Sequence, residues 1–270
     1  MASNDGHPAK PPSSHEQLAS NLPKEDHDVA GQGTSITSKL LNMGMSATEN
    51  FAPLKKVCQH VCAFHFYAHD MTRQVEAHHY CSHRSEEMRQ CVIYDSDAPG
   101  ARLIGIEYII SRRLFEALPP EEKKFWHSHN YEARLQPSLA IREKLAHPTH
   151  EVMSGQLFAP GVPVTAENME MQKLVDTYGK TWHTWQVDRG DPLPLGPAQL
   201  MMAFTDDGQL REDLVADRDR RYGKNSAELR EIRQKKVTPP ESVAEGANHW
   251  QQTALGQAWQ TTMELLKFKK

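Results

Sequence analysis

Histidine and carboxylate carry whatever chemistry this sequence holds. Fifteen histidines occur in 270 residues, and six of them fall between His60 and His83. Four groups stand out: His60, His65 and His69 with His78-His79; Glu107 inside an otherwise apolar stretch; Trp126-His127-Ser128-His129-Asn130-Tyr131-Glu132; and His183 between Trp182 and Trp185. A metal ion needs several neutral imidazoles or carboxylates brought together, with outer acceptors fixing each ring's tautomer. His127 and His129 point the same way if their backbone is extended, because alternate residues share a face. His65 and His69 would share one face of a helix. A lone buried carboxylate is costly unless paired or metal-bound, which draws attention to Glu107. The predicted site therefore joins Glu107, His127 and His129, with His78 or His79 as a further ligand. Imidazole and oxygen donors suit zinc or non-haem iron, and sequence does not choose between them.

A competing reading needs no metal. Histidines also satisfy buried backbone groups, and a strand glutamate can pair with arginine or reach solvent. Other familiar chemistries are absent: there is no GxSxG elbow, P-loop or GxGxxG. Cys58, Cys62, Cys81 and Cys91 have neither CxxC nor zinc-finger spacing, and reduced, small buried thiols are expected.

The elements that must position these groups are short and mixed. Residues 1–35 are polar and Pro/Gly-rich, and disorder is predicted there. Ile36, Leu40 and Met43 recur at helical spacing with Thr37 or Ser38 as cap. Residues 36–57 are thus predicted to include an amphipathic helix, docked on its own domain or lying on a membrane or droplet surface. Gln90–Asp95 and Arg102–Ile110 read as neighbouring strands. Ser111 caps a helix that Pro119-Pro120 ends, and another begins at Glu121. Strand character follows at 152–163, a helix at 168–180, and strands at 184–188 and 198–204. A helical stretch over 211–233 is interrupted near Gly223, and 255–266 reads as a last helix. Without a βαβ rhythm the fold class is α+β, a single domain over 58–237 with a C-terminal extension over 238–270.

Composition narrows the function. A net charge of −4 and a pI near 6.4 argue against a general nucleic-acid binder. The apolar run Leu103–Ile110 is broken by Glu107 and is far short of the roughly 20 residues of a bilayer span, so no transmembrane segment is predicted. The first residues lack the pattern of a secretory signal.

Several stretches resemble the oil body-associated protein family, a eukaryotic group associated with seed lipid bodies. They are Gln59–Cys81, Gln90–Asp95, Ala101–Ile110, Leu118-Pro119, Trp126–His129 and Thr177–Gly196, within roughly residues 50–235. The resemblance implies a cytoplasmic, peripheral lipid-droplet protein acting in droplet formation or stability, whose partner is the droplet surface or a droplet protein. It implies no agreed activity or catalytic residues. Similar proteins run from His-Ser-His-x-Tyr-Glu almost directly into a Val-x-Ser/Gly-Gly strand. Here Ala133 to Glu151 intervene, as an inserted surface loop or as translated intron sequence. Glu132 or Glu151 is then the family's glutamate, and Glu132 joins the candidate metal ligands on that basis. Two functions follow: a non-catalytic droplet protein touching lipid through Ile36, Leu40 and Met43, and a metal-dependent enzyme acting on a lipid or other small apolar molecule. The three tryptophans, Trp126, Trp182 and Trp185, fit the second, although core packing accounts for them more simply. Oligomeric state is left open.

Overall fold

A computed structural model of the chain describes residues 29–134, 157–252 and 259–268. Residues 1–28 of the predicted disordered segment 1–35 and most of the predicted insert lie outside them. The fold is mixed α+β, built on an antiparallel sheet that closes on itself. Its strands are β1 (Gln59–Tyr67), β2 (Asp70–Ser85), β3 (Met88–Tyr94), β4 (Leu103–Ser111), β5 (His127–Ser128), β6 (Thr177–His183) and β7 (Gln199–Ala203). They run in the order β4-β3-β2-β1-β7-β6-β5, and a further pairing of β4 with β6 makes six of them a barrel. β5 pairs with β6 beyond the end of β7, through His127 opposite Gly179. The prediction of short mixed strands is corrected here. β2 alone spans 16 residues, and closure joins strands about 70 residues apart, which no local pattern encodes.

Alternation along each strand sends one set of side chains into the barrel. The lumen is layered. At one end Val61, Ala63, Cys81, Cys91 and Ile109 pack against Met171, Leu174 and Val237. At the other, Tyr67, Val75, Ala77, Ile93, Ile104 and Met201 pack together with Trp185. Between these apolar plugs lies a polar layer. Outward-facing Phe64, Phe66, Leu200 and Met202 are covered by Phe204, Leu210, Val215 and Trp250.

The helices are α1 (Ile36–Thr48), α2 (Arg112–Glu116), α3 (Pro120–Lys123), α4 (Asn130–Arg134), α5 (Val164–Leu174), α6 (Glu212–Tyr222), α7 (Ser226–Lys236) and α8 (His249–Gln252). Ser111 caps α2 by accepting from the Leu114 amide at 3.4 Å. Gly223 ends α6 at φ 57°, a left-handed conformation that glycine adopts without strain. α1 is capped by Ser35 rather than Thr37 or Ser38, and none of its residues is buried, so it does not dock on the described domain.

Several expectations are corrected. His65 lies on a strand and His69 in the turn after it, so they share no helix face. The helix placed at 168–180 is α5, which ends at Leu174, and Gly179 belongs to β6. Residues 184–188 leave the sheet, 157–163 contribute one bridge to Cys62, and 259–266 are irregular. Ala133 is fully buried in α4, so the chain has not left the core at the predicted start of the insert. The β2–β3 register sets Cys81 directly opposite Cys91, and the two form a disulfide rather than reduced thiols; Cys58 and Cys62 are free.

Candidate metal centre

The polar layer of the lumen gathers residues from five strands and the segment after β5. His65 comes from β1, His79 from β2, Glu107 from β4, His127 from β5, and Thr181 and His183 from β6. His129 follows β5, its amide donating to the Thr177 carbonyl at 3.1 Å. All are buried. Asn248 locks the β5 segment: its Oδ1 accepts from the Ser128 amide and its Nδ2 donates to Ser128 Oγ, both at 2.9 Å.

Glu107 is the focus. Its Oε1 lies 3.2 Å from His127 Nε2 and 3.4 Å from His129 Nε2, and accepts from Thr181 Oγ1 at 2.8 Å. Its Oε2 lies 3.1 Å from His79 Nε2. His65, Glu107 and His127 each offer an atom within 4.8 Å of the others. Neighbouring ligands on a zinc tetrahedron with bonds of about 2.0–2.2 Å stand about 3.3 Å apart, close to the spacings found here.

The tautomers sharpen the picture. Thr177 Oγ1 donates its only proton to the Leu174 carbonyl at 2.7 Å, so His129 Nδ1, 2.9 Å away, must donate to it. His79 Nδ1 faces the Val61 carbonyl at 3.3 Å, which can only accept. In the neutral rings the Nε2 lone pairs of both histidines therefore aim at the Glu107 carboxylate. Nε2 of His79 and both ring nitrogens of His127 have no hydrogen-bond partner among the described residues. Either imidazolium or a cation must relieve that opposition.

Burial works against protonated rings. It lowers His65 well below the ordinary histidine value, lowers His129, and takes His183 down to about 3. Burial alone would raise Glu107, yet the neighbouring His79, His127 and His129 rings hold its carboxyl well below the usual range. One carboxylate among neutral imidazoles is the protonation state a metal requires. Gly179 keeps the space open: a methyl there would collide with Glu107 Oε1 and stand 2.6 and 2.9 Å from Nε2 of His127 and His129.

The structure thus brings Glu107, His79, His127 and His129 together and places His78 on the opposite, outer face of β2. Glu132 is buried on α4, and its Oε1 has no hydrogen-bond partner among the described residues. Burial first and the charge of Glu107 second hold its carboxyl well above the usual range, as a neutral acid. His65 and His183, 3.2 Å apart through Nδ1 and Nε2, were missed as members of this layer; the signal was period-two alternation through Val61, Ala63, His65 and Tyr67. The three tryptophans pack in apolar clusters elsewhere. Ile36, Leu40 and Met43 are exposed on α1.

The family described as "Protein of unknown function (DUF1264)" matches residues 51–146 and 137–237. No solved structure matches the chain. Oil body-associated protein 1B of Arabidopsis thaliana is 47% identical over 195 residues, covering 72% of this chain and 73% of the relative. Oil body-associated protein 1A of Zea mays is 44% identical, covering 82% and 85%, and oil body-associated protein 2A of Zea mays is 41% identical, covering 93% and 91%. Identity at this level over most of both partners is that of common descent, and the chain belongs to the oil body-associated protein family.

Proposed function

We propose that this protein attaches peripherally to the surface of oil bodies, through the apolar stripe of α1, and acts in droplet formation or stability. The observation that carries this reading is the uncovered state of that stripe. Ile36, Leu40 and Met43 follow i, i+4, i+7 spacing and are 78%, 59% and 64% exposed, with Lys39 beside them. Helices of this kind bury one face at an apolar–polar boundary. The names of the relatives support the same address, and among the described residues no helix is long and apolar enough to cross a membrane. The test is flotation: the intact chain should rise with oil droplets coated in phospholipid, and a chain lacking residues 36–57 should stay in the aqueous layer. Droplet binding by the truncated chain would move the contact to the barrel.

A second reading rests on the converging Nε2 lone pairs. Here the lumen holds a divalent zinc or iron ion on Glu107, His79, His127 and His129, and the protein is a metal-dependent enzyme acting on a lipid or other small apolar molecule. A bound ion would polarise an ester or carbonyl oxygen, and Glu132 would supply a proton from its neutral carboxyl. Elemental analysis of the purified chain should find stoichiometric metal that His127→Ala with His129→Ala abolishes while the fold survives. Metal-free wild-type protein that takes up none on titration would end this reading.

A further inference from the structure

A second donor cluster sits on the outside of the same barrel wall. β1 and β2 set Cys62 directly opposite His78, and Glu76 one outward position further along β2. Cys62 Sγ lies 3.5 Å from Glu76 Oε1 and 3.8 Å from His78 Nε2. His78 Nε2 and Glu76 Oε1 are 2.9 Å apart. These three atoms fall within 4.8 Å of one another, and Cys62 and His78 are fully buried.

We propose that Cys62, Glu76 and His78 form a second metal site, for zinc or another thiophilic divalent ion, independent of the lumen. With the proton on Nε2, His78 donates to Glu76 Oε1 as the Cys62 thiol does; with it on Nδ1, one cation serves all three atoms. The atoms that would not ligate are already held. His78 Nδ1 lies 3.0 Å from His60 Nε2, so an Nδ1–H donated there leaves Nε2 free for a metal. Arg221 of α6 grips Oε2 of Glu76, leaving Oε1 turned inward. His60 is itself fixed by stacking on Tyr80, ring centroids 4.4 Å apart. Outer partners of this kind orient the ligands of metal sites. Neighbouring ligands on a zinc tetrahedron that includes sulfur stand about 3.3–3.6 Å apart, and the cluster brackets that range. Tyr222 packs beside His78 with ring centroids 6.2 Å apart, and its hydroxyl faces the Asp97 carboxylate. An ion there would pin α6 to the β1–β2 wall.

The soft sulfur donor separates this site from the all-nitrogen-and-oxygen lumen. Full-length chain stripped of metal and titrated with cobalt(II) should show a thiolate-to-cobalt charge-transfer band in the near ultraviolet. The band should persist in His127→Ala/His129→Ala, and disappear in Cys62→Ser and His78→Ala with the loss of one metal equivalent. A folded wild-type chain that binds cobalt without the band would overturn the proposal and leave the lumen reading untouched. So would a band retained by Cys62→Ser. If both variants unfold, the presence or absence of the wild-type band still decides, since Cys81 and Cys91 are tied to each other and the remaining thiol, Cys58, is tested by Cys58→Ser.

Discussion

The barrel lumen and α1 invert the usual partition of side chains in opposite senses. The lumen hides one carboxylate and five histidines from water, while α1 holds leucine, isoleucine and methionine out to it. Neither arrangement arises from stability alone: burying unpaired polar groups costs free energy, and leaving apolar ones exposed forgoes it. The difference lies in coupling. Each polar group of the lumen is clamped by strands from around the barrel, whereas no residue of α1 is buried against the described residues. Substitutions in the first region should therefore change stability and metal content together, and those in the second only surface binding.

The largest effect is expected at Glu107. Its replacement by Ala removes the carboxylate that accepts from Thr181 and that balances the imidazolium or cation among the rings, and should cost about 3–5 kcal/mol in urea unfolding, with loss of any bound metal. A cost under about 1 kcal/mol would mean that the cluster is loosely held. Gly179→Ala forces a methyl between Glu107, His127 and His129, and a penalty of about 1–3 kcal/mol is expected from the same measurement.

Acid gives a comparable effect without mutation. Folded His183 stays neutral down to about pH 3, while the unfolded chain takes up that proton near pH 6.5. Acid therefore favours the unfolded state: metal-free protein should lose stability as pH falls from 6.5 toward 3, at up to about 1.4 kcal/mol per pH unit for this residue. Above pH 6.5 this contribution is constant. Urea midpoints at pH 7 and pH 5 check it, and His183→Gln should flatten the slope. The smallest effect belongs to Ile36→Glu, Leu40→Glu and Met43→Glu combined. Unfolding should shift by no more than about 0.5 kcal/mol, yet flotation with droplets should be lost. A large destabilisation would show that α1 packs on the domain after all.

Much of the local structure was legible. Punctuation by Ser111, Pro119 and Gly223 marks helix ends correctly, because capping and proline chemistry act within a few residues. β3 and β4 showed themselves as apolar runs bounded by turns. β2 did not, because its polar, histidine-rich run has no apolar alternation until the barrel supplies an inside. For the same reason sequence could not choose between His78 and His79: adjacent strand residues face opposite ways, and only register decides which faces in. Glu107 was found by asking which charged group sits where an apolar one should, and His127 and His129 by their alternate spacing on an extended segment. His65 and His183 escaped because one was read on a helix and the other at the edge of a misplaced strand. Gly179 fell inside the helix predicted at 168–180, when its role is to leave room for Glu107, His127 and His129. Closure of β4 on β6 is a long-range event, and no window of sequence contains both partners.

The closed wall has a consequence for life at high local concentration. Proteins gathered on a surface meet one another constantly, and open strand edges then recruit neighbours into extended sheets. Here β4 and β6 occupy each other's edges along their length. The short outer edge of β5 is two residues long, and Asn248 already takes the amide of Ser128. Many copies can therefore crowd side by side without templating aggregation through this sheet.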